Sequence, residues 1–154
     1  MNLTPNFTVQ EFTASDTAAR LGIDNSLPPT LLVAATDTCH MLELVRDRLG
    51  QLAGHPVPVI LTSGYRCPAL NTAIGSSPSS DHVKALAADF KAPAFGTPYQ
   101  VAQALAPLVT ELGIGQLIHE YGQWVHLSTR RPDKQLNRII TISKRGTEVG
   151  VVAA

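Results

Sequence analysis

Residues 80–90 read SDHVKALAADF and lead from a small, polar loop into a short apolar segment. The loop places His82 at its end, and residues 86–91 are predicted to form a strand that contains Asp89. A carboxylate in such a strand costs several kcal/mol when it is buried without a partner. We therefore expect a metal ion or another cation beside Asp89.

A third candidate ligand lies further along the chain. His126 alternates with apolar residues in the segment WVHLS at residues 124–128, a pattern that is typical of a strand. Two imidazoles and one carboxylate, with a fourth position open to water, form the ligand set of a catalytic zinc site. The spacing alone leaves an alternative open, in which Asp89 pairs with Arg66 or Lys91 and His126 packs in the sheet.

The rest of the chain indicates an α+β fold in one domain, residues 1–154, with N-terminal helices packed on a mostly antiparallel sheet. Predicted helical segments are a capping box at Thr8 and Glu11, a helix from Ser15 to Gly22, residues 31–49 closed by Gly50, residues 68–74, and residues 97–112 kinked at Pro107. Predicted strands are residues 57–62, 86–91, 116–120, 124–128, 138–143 and 148–152, with turns at residues 121–123 and at Arg145-Gly146.

Composition gives no sequence argument for several classes of function. The formal net charge is zero, so no electrostatic footprint for nucleic acid is present. No apolar run approaches the ~20 residues that cross a bilayer, so stable membrane insertion is not expected. The first twelve residues lack the basic and apolar regions of a signal peptide, which predicts synthesis in the cytoplasm. Two cysteines, Cys39 and Cys67, are expected to be reduced thiols.

The motifs resemble a known family. Ser80, His82, Ala87 and Asp89 match the SxHxxGxAxD signature of the zinc D-Ala-D-Ala carboxypeptidases. Phage L-alanyl-D-glutamate endopeptidases share that signature and a hedgehog-type fold. The upstream segment from Ser63 to Asn71 resembles the family's SGYRxxxxN segment, and residues 124–126 resemble its last ligand strand. The opening segments NFTVQE at residues 6–11 and GIDN at residues 22–25 resemble small phage-type members.

The resemblance implies one Zn²⁺ ion held by His82, Asp89 and His126. It implies that Arg66 binds a substrate carboxylate or carbonyl, and that Ser80 supports the site or contacts the substrate. The expected substrate is the stem peptide of peptidoglycan. A monomeric phage-type endolysin is expected, made in the host cytoplasm and reaching the wall after release.

Two positions depart from the family pattern. Ala85 replaces the signature glycine, a change that a roomy backbone tolerates. Gln123 stands where many members have the acidic catalytic base, and an amide cannot accept the proton. A three-residue loop at 121–123 would turn Glu120 toward His126, whereas a two-residue loop would turn His119 there. We favour Glu120 as the base, with His119 assisting in substrate or oxyanion binding.

Other functions remain open at this stage. A D-Ala-D-Ala carboxypeptidase differs from the endopeptidase only in the bond that it cleaves, and no residue distinguishes the two. The missing acid at Gln123 supports a zinc-containing module that binds peptidoglycan without cleaving it. A structural phage protein with vestigial ligands is the last alternative.

Overall fold

A six-stranded sheet forms the centre of the computed structural model, which describes residues 1–154. A small hairpin of β1 and β2 precedes it. The strands are β1 (Asn2–Thr4), β2 (Phe7–Thr8), β3 (Ile60–Ser63), β4 (Ala87–Lys91), β5 (Gln116–Glu120), β6 (Trp124–Ser128), β7 (Ile139–Ser143) and β8 (Gly146–Val149). Their order in the large sheet is β3-β4-β6-β5-β7-β8.

Five α-helices accompany the strands, three of them before β3. They are α1 (Val9–Thr13), α2 (Asp16–Leu21), α3 (Leu32–Ala53), α4 (Pro68–Ala73) and α5 (Pro98–Leu105). The capping box at Thr8 and Glu11 is present, and Ser15 caps α2, which ends at Gly22. These contacts confirm the predicted caps, and the mixture of helices and sheet confirms the α+β class. The hedgehog-type topology and the single domain remain predictions.

The sheet separates an apolar face from a polar one. Because side chains alternate between the two faces of a strand, one face of the central strands carries Phe90, Leu117, Val125 and Leu127. These side chains pack in a core that also contains the buried side of α3. Residues of the opposite parity, among them Asp89 and His126, lie on the other face, where they pair directly across β4 and β6. The face that carries Asp89 and His126 therefore has a fully buried apolar layer behind it.

Two predicted helix ends are wrong. Helix α3 continues through Gly50 to Ala53, and Gly54 ends it in a left-handed conformation at φ 76°, donating its N–H to the Gly50 carbonyl. A glycine inside a helix costs only about 1 kcal/mol, which tertiary packing readily offsets. Helix α5 ends at Leu105 and a 3-10 turn follows it, because Pro107 cannot continue the α-helical hydrogen bonding.

The sheet also differs from the prediction in detail. Strand β3 begins at Ile60 rather than at residue 57, and β8 begins at Gly146, which places the last turn at Lys144 and Arg145. Strands β5 and β7 are parallel and the other neighbouring strands of this sheet are antiparallel, which confirms the prediction of a mostly antiparallel sheet.

Both cysteines are free thiols, as expected. Burial raises the pKa of Cys39 to about 12. No helix combines the length and the apolarity that crossing a membrane requires.

Candidate metal centre

The three predicted ligands meet on the polar face of the sheet. Asp89 on β4 lies directly opposite His126 on β6, and the turn before β4 brings His82 beside them. One ligand atom from each residue lies within 4.8 Å of the others. All three residues are buried, with at most 8% of their surface exposed. The pairing of β4 with β6 and the turn before β4 thus bring together three residues that are far apart in the chain.

A short 3-10 turn (Asp81–Lys84) delivers His82. The Ser80 hydroxyl accepts a hydrogen bond from the His82 N–H at 3.3 Å and caps this turn. Ala85 ends the turn in the left-handed region at φ 57°, and its carbonyl accepts a 2.8 Å hydrogen bond from the Thr38 hydroxyl. Glycine adopts this left-handed conformation without strain, so alanine in place of the signature glycine carries a backbone cost.

A backbone carbonyl determines which nitrogen of His82 is free to bind a metal. His82 Nδ1 donates to the Gly64 oxygen at 2.7 Å, which leaves the lone pair on Nε2 directed toward Asp89 Oδ1 at 3.3 Å. Residue 64 must be glycine for this approach, since a Cβ there would lie 2.3 Å from the carbonyl oxygen of Phe12. This arrangement orients the ligand in the way that carbonyl partners orient metal-binding histidines.

The electrostatics favour an ionised carboxylate between the imidazoles. Burial alone would raise the pKa of Asp89, but His82 and the 2.8 Å hydrogen bond from His126 Nδ1 hold it well below its usual range. Burial lowers the pKa of His82 and outweighs the opposing influence of Asp89. Burial also opposes protonation of His126, but its contacts with Asp89 outweigh burial and raise its pKa.

This donor set fits zinc. Two imidazole nitrogens and one ionised carboxylate oxygen, held close together on buried and well-supported elements, form the protein part of an open tetrahedral site. The alternative pairing of Asp89 with Arg66 or Lys91 does not occur, because the ion-pair contacts of Asp89 are with His82 and His126. His82, Asp89 and His126 are therefore the residues that can hold the metal.

The hairpin places Glu120 beside this cluster. Glu120 pairs with Trp124 across a three-residue loop, so its side chain lies on the face of His126, as the three-residue alternative predicted. Its Oε1 is 3.8 Å from His126 Nδ1, and 19% of the side chain is exposed. Burial, together with the nearby Asp89 charge, raises the pKa of Glu120. A partly buried carboxylate with a raised pKa is suited to proton transfer. Gln123 is exposed in the loop.

The prediction that His119 contacts the substrate is wrong. His119 pairs with Val125, so the alternation along β5 turns its ring to the opposite face of the sheet. The ring is fully buried, its Nδ1 is 3.0 Å from the Val152 carbonyl oxygen, and its centroid lies 5.5 Å from that of Tyr99. His119 is a core residue in this fold.

Arg66 and Ser80 flank the cluster on the side of β3. Arg66 Nη2 lies 3.4 Å from the Ser80 hydroxyl, and its Nε is buried without a partner. Burial lowers the pKa of Arg66, against the influence of Asp89 and Glu120. Both acidic residues are thus close enough to influence the guanidinium, and part of its donor capacity is free for a ligand.

A supporting network beside the site was not predicted. Asp81 is buried and accepts hydrogen bonds from the Ser128 hydroxyl at 2.8 Å and from Arg130 Nε at 2.7 Å. It ties the His82 turn to the end of the strand that carries His126. The only signal in the sequence was that Asp81 is next to His82 and that Ser128 lies two residues after His126.

The family model described as Peptidase M15 matches residues 5–128, which is most of the chain and contains the whole cluster. No curated protein matches the chain.

Proposed function

Because the chain belongs to the Peptidase M15 family of zinc metallopeptidases, we propose that it hydrolyses an amide bond in the stem peptide of bacterial peptidoglycan. The more specific proposal is a phage-type endolysin that cleaves between L-alanine and D-glutamate. The observation that carries the proposal is the position of Glu120, a carboxylate beside a cluster of three zinc ligands.

The residues divide the chemistry among them. His82, Asp89 and His126 would hold zinc, which supplies a Lewis acid for the scissile carbonyl and brings the pKa of a water molecule to near ~7. Glu120 Oε1 accepts the proton of the attacking water and returns it to the leaving nitrogen. The exposed part of Glu120 leaves this carboxylate accessible from solvent, whereas the ligands beneath it are shielded.

Substrate binding is assigned to the β3 side of the centre. A polar cavity of about 290 Å³ is lined by Arg66 and by the hydroxyl-bearing residues Ser15, Thr17, Thr62 and Ser63. Ser63, which lines the cavity, is the register partner of Asp89 across β3 and β4. Hydroxyls and a guanidinium provide hydrogen-bonding groups for a peptide backbone and its carboxylates. Ser80, which contacts both the His82 backbone and Arg66, supports this arrangement.

Product analysis tests the proposal. Zinc-loaded protein is incubated with purified peptidoglycan, and the soluble products are identified by mass spectrometry. We expect peptides with a new N-terminal D-glutamate. Release of free D-alanine alone would assign a carboxypeptidase instead, and an absence of any cleaved amide would contradict both assignments.

The setting of the reaction follows from the same proposal. The protein would act as a monomer on the wall, after release from the cytoplasm in which it is made. Lysis of permeabilised cells, compared with intact cells under the same zinc concentration, tests this route. Equal lysis of both would contradict the need for prior permeabilisation.

A further inference from the structure

Asn25 makes three hydrogen bonds that its position in the sequence did not reveal. Its Nδ2 donates to the carbonyl oxygens of Thr13 at 2.8 Å and Tyr65 at 2.9 Å. Its Oδ1 accepts from the Cys67 N–H at 2.7 Å. The residue is buried, with 8% of its surface exposed. One side chain therefore holds the backbone immediately before and immediately after Arg66.

The backbone around Arg66 is held by three different parts of the chain. The Tyr65 N–H donates to the Phe12 carbonyl at 2.7 Å, and the Arg66 N–H donates to the His82 carbonyl at 3.1 Å. The Cys67 N–H donates to Asn25, which is the only side chain among these three acceptors. Asn25 thus completes a set of contacts that begins at α1 and ends at the metal-ligand turn.

The chemistry at this position requires an amide. Both Nδ2 protons donate to carbonyls while Oδ1 accepts an N–H, a combination that neither a carboxylate nor a hydroxyl provides. The bonds to Tyr65 and Cys67 span about forty residues of sequence, so they fix tertiary placement rather than local helix or turn structure. A change here leaves buried backbone groups of the Arg66 segment without partners.

The Arg66 side chain has little else to orient it. Its one side-chain hydrogen bond is the 3.4 Å contact with Ser80, its Nε has no partner, and no ion pair holds the guanidinium. Its direction into the cavity is therefore set mainly by the backbone from which it projects. A planar fork of donors binds well only when it is correctly placed, and a displacement of about 1 Å can cost 100-fold in rate.

We propose that Asn25 is a positioning residue for substrate, which acts by fixing the backbone on both sides of Arg66 so that the guanidinium meets a carboxylate of the stem peptide. This inference rests on the proposed function, because it assigns Arg66 to substrate binding. The segment between α2 and α3 contributes no metal ligand and no proton-transfer group. Asn25 nevertheless makes this segment one of the determinants of substrate affinity.

A double-mutant cycle tests this role. Binding of a synthetic stem peptide with free carboxylates is measured by NMR titration for the wild type, Asn25→Ala, Arg66→Lys and the double variant, all loaded with zinc. We expect Asn25→Ala to weaken binding about tenfold in the wild-type background and less than about twofold in the Arg66→Lys background, because the fork is already lost there. Equal losses in both backgrounds would overturn the proposal and leave Asn25 a residue of general stability.

A second measurement does not depend on the substrate. The Nε–H resonance of Arg66 is expected to shift or broaden in Asn25→Ala, while zinc content remains that of the wild type. Asn6→Ala serves as the control, since it removes an amide that donates to Glu43 and does not contact the Arg66 segment. An unchanged Arg66 resonance in Asn25→Ala would overturn the proposal. A wild type that binds no stem peptide would instead contradict the proposed function, and the resonance would still report on Asn25.

Discussion

The Glu120 carboxylate lies 3.8 Å from Nδ1 of His126, although the two residues are on different strands. The distance follows from the hairpin register, in which Glu120 pairs with Trp124 and Ile118 pairs with His126. Strand alternation then places both side chains on one face. A two-residue loop would have turned Glu120 away, so the length of this loop determines whether a proton acceptor stands beside the metal ligands.

Replacement of Glu120 by glutamine is the direct test of its role. Glutamine keeps the size and the hydrogen-bonding shape but cannot take a proton, so we expect kcat to fall about 10²–10⁴-fold while zinc content is unchanged. Glu148→Gln is the matched control, because Glu148 is a partly exposed carboxylate paired with Arg145 on the last hairpin. Wild-type turnover in Glu120→Gln would move the base to another residue.

Zinc affinity is expected to depend on pH through His126. Its contacts with Asp89 raise its pKa above the ordinary value of about 6.5, so protons compete with the metal below neutral pH. Asp89 stays ionised in this range because its pKa is lowered. The dissociation constant for zinc should increase about tenfold per pH unit below the His126 pKa. Competition with a calibrated chromophoric chelator measures it, and a constant affinity between about pH 5.5 and about pH 7.5 would disagree with this account.

The left-handed conformation of Ala85 predicts which substitutions the fold tolerates at this position. Glycine relieves strain of about 1 kcal/mol but loses a buried methyl group of similar value, so Ala85→Gly should be close to neutral. Valine is β-branched and should destabilise the fold by at least about 2 kcal/mol. Urea unfolding of both variants provides the comparison. Equal stability of the two would show that backbone conformation at residue 85 is not limiting.

Removal of the Asp81 carboxylate should weaken the metal centre indirectly. Asp81→Ala leaves the buried Ser128 hydroxyl and the Arg130 guanidinium without their acceptor, which we expect to cost about 2 kcal/mol of unfolding free energy. Zinc binding should weaken about tenfold, because the His82 turn is less well held. Asp37→Ala, on the exposed side of α3, is the control. Wild-type stability and affinity in Asp81→Ala would refute this supporting role.

The sequence predicted the site better than it predicted the ends of elements. His82, Asp89 and His126 could be assigned because the resemblance to the zinc peptidase signature favoured a metal site, where spacing alone had left an ion pair of Asp89 open. The hairpin at residues 121–123 was predicted with its correct bounds because alternation and turn residues are local signals. Local signals also located the caps at Thr8 and Ser15.

Long-range contacts account for what the sequence did not show. The end of α3 was missed because Gly50 and Gly54 are equally good candidates for a helix-ending glycine in the sequence. Only tertiary packing decides which of them adopts the left-handed conformation. The parallel pairing of β5 with β7 has no local signal. The hydrogen bonds of Asn25 and Asp81 join segments about 40 residues or more apart, which no periodicity reveals.

Metal dependence of hydrolysis in the wild type and in Asp89→Ala is the most direct test of the central claim. We predict that the wild-type protein binds one zinc ion per chain, loses peptidoglycan hydrolysis on treatment with a chelator and regains it with added zinc. Asp89→Ala should remain folded, bind no zinc at comparable concentration and release no product. Full hydrolysis by Asp89→Ala, or by the chelated wild type, would contradict the assignment of His82, Asp89 and His126 as the catalytic metal site.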